Sequence, residues 1–178
     1  MILQCLYPDI WMDSAYGIPY EELSHRGISG IIFDVDNTLA FHDAPADEKA
    51  RELFARLREL GLGACLLSNN KEPRVKAFAE AVGASYVFKG GKPGTRGYRK
   101  AMALLGTGPE NTAAVGDQLF TDILGARRAG IYSILVSPMN PREEIQIVLK
   151  RYLERPILWA YRRSHPDQPV RTGACGNR

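Results

Sequence analysis

Cysteine, histidine and tryptophan are scarce in this chain, at three, three and two residues among 178. Cys5, Cys65 and Cys175 are isolated, with no Cys-x-x-Cys pair. That argues against a disulfide framework or a cysteine-held zinc and fits reduced thiols in the cytosol. His25, His42 and His165 fall at no metal-ligand spacing. No apolar run reaches the roughly 18 residues that a membrane-spanning helix requires, and Met1-Ile2-Leu3-Gln4 lacks the basic start of a secretory signal. Repeats and low-complexity tracts are missing too. The expectation is a cytoplasmic, soluble chain. Its 45% apolar and 24% charged residues have the balance of a globular protein, and 178 residues fit one domain of roughly 100–200. We read a single domain over 1–178, with its core at about 28–137, a basic amphipathic helix over 138–163 and a loose tail over 164–178.

The net charge is only +3, but it is unevenly spread. Residues 1–141 carry 15 Lys/Arg against 16 Asp/Glu, whereas residues 142–178 carry 8 against 4. In that basic segment Ile145, Val148, Leu149, Tyr152 and Leu153 recur at helical spacing. Lys150, Arg151 and Arg155 lie between and after them, and Trp159, Tyr161, Arg162 and Arg163 follow Pro156. Such a stretch suits an anionic membrane surface. A last helix packed on the core is the plainer alternative. On the first reading, any preference for an anionic surface resides in this terminal segment.

Short apolar runs alternate with amphipathic segments, the pattern of a parallel sheet covered by helices. Strands are expected at Ile28–Asp34, Ala64–Ser68, Ser85–Phe88, Thr112–Gly116 and Ile131–Val136. Helices are expected at Asp47–Leu60, Pro73–Val82, Gly94–Leu105 and Leu119–Ala129, each with an apolar face. The fold class is therefore α/β, a Rossmann-like three-layer sandwich around a five-stranded, mainly parallel sheet. Pro8–Gly27, with Trp11 and Tyr16, is expected to pack against that sheet.

Ligands of such sheets bind outside the strand carboxyl ends, and polar residues concentrate there. The first strand ends in Asp34-Val35-Asp36-Asn37-Thr38 and the second in Ser68-Asn69-Asn70. Lys92 follows the third, and the fourth ends in Gly116-Asp117 with Asp122 close behind. Taken singly, each has a structural reading as a cap or turn residue. Together they suit phosphoryl transfer. Clustered carboxylates repel unless a hard cation such as Mg²⁺ sits among them. A carboxylate attacks phosphorus to form an aspartyl-phosphate, lysine and hydroxyls neutralise the phosphoryl oxygens, and a second carboxyl moves protons.

DVDNTLA at Asp34–Ala40 resembles the first motif of the haloacid dehalogenase (HAD) superfamily. LLSNN with Ser68, KP with Lys92, and GDQLFTD with Asp117 and Asp122 resemble its other three. The resemblance covers about residues 28–137. It implies Asp34 as nucleophile and Asp36 as general acid/base. It implies Mg²⁺ held by Asp34, the Asp36 carbonyl and Asp117, with Asp122 steadying that site from behind. Thr38, Ser68, Lys92 and the Asn69 amide would grip the phosphoryl group. Asp36 implies a phosphohydrolase, since ion-pumping relatives carry Thr there and dehalogenases lack this Asp.

Between Thr38 and Ser68 lie 29 residues, and between Ser68 and Lys92 lie 23. A helix occupies much of each, so neither holds a cap domain of roughly 50 residues or more. The site is expected to be open, covered at most by a short hairpin around Phe41–Pro45. DVDNTLAFHD, LLSNNKEPRV, GGKPG and VGDQLFTDILGARRAGIYSILVSP resemble the YqeG-like phosphatases of subclass IIIA. That group includes mitochondrial phosphatidylglycerophosphate phosphatases. The resemblance implies a phosphorylated substrate, a lipid phosphate at an anionic membrane surface being one candidate, and with it a peripheral place at the inner membrane face. A soluble small molecule or nucleotide is the alternative substrate. Capless relatives also close their sites by forming homo-oligomers, and no nucleic-acid partner is expected. Two non-enzymatic alternatives stand beside this: a receiver-like phospho-acceptor, which would not carry both carboxylates on strand one, and an adaptor, which has no need of Asp36. His42 and Asp43 are left open between a surface turn and the site, Cys65 is read as core, and Arg127 and Arg128 as a solvated helix face.

Overall fold

The computed structural model describes residues 6–140 and 145–166, with side chains of the last helix from Leu153 onward. In chain order the elements are β1 (Ile10–Met12), α1 (Tyr20–His25), β2 (Gly30–Phe33), α2 (Glu48–Glu59), β3 (Gly63–Leu67), α3 (Glu72–Val82) and β4 (Ser85–Val87), followed by α4 (Arg96–Leu105), β5 (Thr112–Gly116), α5 (Leu124–Ala129), β6 (Tyr132–Val136) and α6 (Ile145–Ser164). The helices form where apolar periodicity meets a start signal. Asp47 caps α2 by accepting the Ala50 N–H at 2.9 Å, and Pro73 occupies the first turn of α3. Leu53, Phe54 and Leu57 of α2 and Val75, Phe78, Ala79 and Val82 of α3 are buried, as their spacing requires.

The sheet has the order β1-β6-β5-β2-β3-β4, with every pairing parallel. Successive strand residues point to opposite faces, which sorts the core into layers. Ile31, Phe33, Leu66, Ala113, Val115 and Ile134 pack with residues of α1, α2 and α3. Ile32, Cys65, Leu67 and Ala114 pack with α4 and α5, and Leu135 packs near α6 through Ile157. Strand order reverses at β2, which has β5 on one side and β3 on the other. That switch point is where an open α/β sheet leaves its crevice.

Among the described residues the sheet holds six strands rather than five. The additional one, β1, is only three residues long and pairs with β6 from Ile10 opposite Ile134. Hydrophobic pattern does not fix it; Asp9 does. Its N–H reaches the Ser133 carbonyl at 2.9 Å, and its carboxylate accepts the Ser133 N–H and hydroxyl, both at 2.7 Å. Arg127, read as solvated, pairs with the same carboxylate at 2.7 Å. Nor is there a hairpin at Phe41–Pro45. That segment is a turn closed by the Ala44 N–H on the Phe41 carbonyl at 2.9 Å, with Asp43 at φ 57.

α6 runs through Pro156 without ending. Glu154, Ile157 and Tyr161 are buried on both sides of the proline and hold the helix to the core. Glu154 accepts the Leu119 N–H at 2.8 Å. This part of α6 follows the plainer alternative of a packed last helix. The side chains of the stripe over 145–152 and the tail beyond 166 lie outside the described residues. Among the described residues, no helix is long and apolar enough to cross a membrane.

Candidate active site

β2 ends by delivering Asp34, whose N–H bonds the Val115 carbonyl of β5 at 2.9 Å. The chain then folds back tightly, with the N–H groups of Thr38, Leu39 and Ala40 all directed at the Val35 carbonyl at 3.3, 2.9 and 3.2 Å. Asn37 takes φ 63, a left-handed conformation that asparagine tolerates better than most residues. Tyr16 donates its hydroxyl to the Leu39 carbonyl at 2.5 Å, and the Met139 N–H reaches the Asn37 carbonyl at 3.0 Å. The turn is thus held from the N-terminal segment and from beyond β6.

After β3, the Ser68 hydroxyl accepts the Asn70 N–H at 3.1 Å. The Asn69 side chain grips the Lys92 backbone from both sides, accepting its N–H at 2.8 Å and donating to its carbonyl at 3.1 Å. Lys92 enters the centre at a defined angle. Its Nζ lies 2.5 Å from Asp34 Oδ1 and 2.6 Å from Asp122 Oδ1. Asp117 follows β5, and Thr38 directs its hydroxyl at Asp117 Oδ1 from 3.5 Å.

Asp122 sits in a π-helical turn, Leu119–Ile123, that opens the helix leading into α5. Such widened turns recur at functional positions. This one brings the Asp122 carboxylate back over Gly116, where a Cβ would overlap it, so only glycine fits there. Asp122 Oδ2 accepts the Gln118 N–H at 3.1 Å, and Tyr98 donates to the Asp122 carbonyl at 2.9 Å.

Asp34, Asp117 and Asp122 each offer an oxygen, all within 4.8 Å of one another. Three carboxylates around one ammonium leave an excess of two negative charges in a buried place. Burial pushes Asp34 up to about 7, with Lys92 opposing and Asp122 adding to the rise. Burial alone would pull Lys92 down, but Asp122 and Asp34 outweigh it and hold the ammonium above its ordinary range. The donor set, all oxygen and surplus in negative charge, fits a hard divalent cation such as Mg²⁺; zinc or copper would look for nitrogen or sulfur.

Asp36 stands apart from that cluster. Its Oδ1 accepts from Arg74 Nη2 at 2.9 Å and from the Asp43 N–H at 3.2 Å, and its Oδ2 from Asn70 Nδ2 at 3.0 Å. Between the two groups opens a cleft of about 280 Å³ whose lining includes Asp34, Asp36, Ser68, Lys92 and Asp122, with His42 at its wall. Asp34, Asp36, Ser68, Asn69, Lys92 and Asp122 therefore line one cleft, while Thr38 and Asp117 are buried, Asp117 within reach of Asp34 and Asp122. Asn69 enters as the side chain that positions Lys92. Cys65 is buried in the core, where burial pushes its thiol up to about 12.

Arg74 carries no signal in the sequence, and Asn70 shows there only as a strand-end residue without a role. Both lie within LLSNNKEPRV, but an arginine in a helix's first turns reads as solvated. Only the packing of α3 against the turn after β2 brings it to Asp36.

The chain belongs to the haloacid dehalogenase-like hydrolase family, which matches residues 40–130. Within that family it is a phosphatase. It is similar to the probable phosphatase YqeG of Bacillus subtilis (strain 168), with 35% identity over 164 residues, 92% of this chain and 95% of that one. It is also 25% identical over 166 residues to the chloroplastic/mitochondrial phosphatidylglycerophosphate phosphatase 1 of Arabidopsis thaliana, spanning 87% of this chain but 48% of that protein. Among solved structures, an uncharacterized protein from Listeria monocytogenes serotype 4b shares the fold, with a TM-score of 0.52 at 18% identity, covering 66% of this chain and 85% of that one.

Proposed function

We propose that the chain is a Mg²⁺-dependent phosphomonoester hydrolase that works through an aspartyl-phosphate on Asp34. The observation that carries this is the placement of the Asp34 carboxylate 2.5 Å from Lys92 Nζ, in one oxygen cluster with Asp117 and Asp122, while Asp36 is held separately across the cleft. Asp34, the Asp36 carbonyl and Asp117 would hold the cation, Asp122 orienting Lys92 and the cluster from behind. When bound, the cation neutralises phosphoryl charge and keeps Asp34 ionised.

In the first step an Asp34 oxygen attacks phosphorus, the ester P–O bond breaks, and the departing alkoxide takes a proton from Asp36. In the second, Asp36 takes a proton from water, the resulting hydroxide attacks phosphorus, and the acyl-phosphate P–O bond breaks to release phosphate and restore Asp34. Lys92, Thr38, Ser68 and the Asn69 amide stabilise the phosphoryl oxygens as charge develops. Arg74 is a positioning residue: with Asn70 and the Asp43 N–H it fixes where the Asp36 carboxyl points.

For substrate class we favour a lipid phosphomonoester at an anionic membrane surface. The cleft is open, because the chain between the motifs forms one helix on each side and no separate lid domain. Phe41, 51% exposed, precedes the cleft residue His42, and Trp159 on α6 is 63% exposed beneath Arg163. The similarity to a phosphatidylglycerophosphate phosphatase supports the same choice. The test is phosphate release from a panel of soluble monoesters and from phosphatidylglycerophosphate in vesicles. Faster release from the lipid supports the class, and release only from a soluble ester replaces it.

A further inference from the structure

The largest groove among the described cavities is not the catalytic cleft. It measures about 640 Å³ and runs between the end of β4 and α4, at the free edge of the sheet. α4 turns Tyr98, Ala101 and Met102 into the core, which leaves Arg96, Lys100 and Leu104 facing the groove. From the strand side come Phe88, 37% exposed, and Lys89. The walls hold three cations and no carboxylate. Among the described residues none of these cations is in an ion pair. Leu104, 56% exposed, gives the floor a second large apolar side chain that no part of the described chain covers. Lys89 also holds φ 45, a left-handed conformation in which glycine would be easier.

The groove and the catalytic cleft are two sides of one loop. The Lys89 N–H bonds the Asn70 carbonyl at 3.1 Å and the Gly90 N–H bonds the Ser68 carbonyl at 2.9 Å. Two residues on, Lys92 reaches Asp34.

An uncompensated cluster of cations over an apolar floor is complementary to an anionic headgroup with the start of an acyl chain. We propose that the groove between β4 and α4 docks anionic phospholipid, with Lys89, Arg96 and Lys100 on headgroup phosphate and Phe88 and Leu104 against the chain, and so turns the adjacent cleft toward the bilayer. Its role in substrate delivery rests on the lipid-phosphate reading above; the docking itself does not. It also places a preference for anionic surfaces on the near-neutral body of the chain, and not only on its basic end.

The test compares the full chain with a Lys100→Glu/Leu104→Ser variant in flotation with phosphatidylcholine vesicles, with and without phosphatidylglycerol, and in hydrolysis of soluble p-nitrophenyl phosphate. The expected result is binding that depends on phosphatidylglycerol, weakened at least about tenfold in the variant, with soluble turnover unchanged. Equal binding by variant and parent overturns the proposal. So does binding to RNA at the same salt as tight as to the anionic vesicles, or loss of a dimer in the variant, which would make the groove a self-interface. Vesicle binding without any phosphatase activity would instead remove the reading of the cleft and leave the groove standing.

Discussion

Asp34→Asn keeps the shape of the side chain and removes its charge, so it separates the chemistry of this residue from its electrostatic cost. Burial pushes Asp34 up to about 7 from an ordinary 3.8. The folded protein, free of divalent cation, holds that proton more tightly than the unfolded chain. This contribution favours folding below about pH 4, fades as pH rises, and is fully lost above about pH 7. The gap corresponds to about 4 kcal/mol at most. That net shift already contains the attraction of Lys92 for the ionised carboxylate, so the neutral variant is favoured by up to about 4 kcal/mol at about pH 8, or up to roughly 8–16 °C in Tm for a chain of this size. Thermal unfolding in EDTA at about pH 5 and about pH 8 reads this directly, with a clearly smaller gap expected at the lower pH. Phosphate release should fall by at least about a thousandfold. A variant that melts no higher than the parent at the higher pH would refute the electrostatic reasoning, and a variant that turns over would refute the chemical one.

Three further outcomes are expected. Arg74→Ala should slow single-turnover cleavage of an alkyl phosphate by about 10-fold or more while barely changing that of p-nitrophenyl phosphate, whose leaving group needs little protonation; Arg74→Lys should restore part of the difference. A purely structural role would slow both substrates alike. Gly116→Ala should raise the Mg²⁺ concentration needed for half-maximal activity and cost about 1–3 kcal/mol in thermal unfolding, because the added methyl displaces the Asp122 carboxylate. EDTA should abolish activity and lower the Tm above about pH 7, and Mg²⁺ should restore both, since the cation offsets the excess charge of the aspartate cluster.

The parts of the fold that were legible in the sequence were those written in periodicity. β2 through β6 and α2 through α5 follow apolar runs that the core requires. β1 was not legible, because Ile10–Met12 is too short to show a pattern and is held by Asp9 on Ser133. The π-turn at Leu119–Ile123 was hidden inside what reads as an ordinary helix. The eight polar residues proposed for the site could be picked out because each follows the end of a strand. Arg74 could not, and Asn70 could be picked out only without a role, since both act through contacts with Asp36 across 38 and 34 positions in sequence. Nor was the groove beside α4, where Lys89 and Arg96 face one space only after β4 and α4 pack.

In the proposed mechanism Asp34 carries the phosphoryl group. Incubating the full chain with a phosphomonoester and Mg²⁺, quenching in acid, reducing with borohydride and mapping peptides by mass spectrometry would locate any acyl-phosphate. Modification at Asp34 is expected in the parent and none in Asp34→Asn. Label on another residue, or steady turnover with Asp34 never modified, would contradict the mechanism.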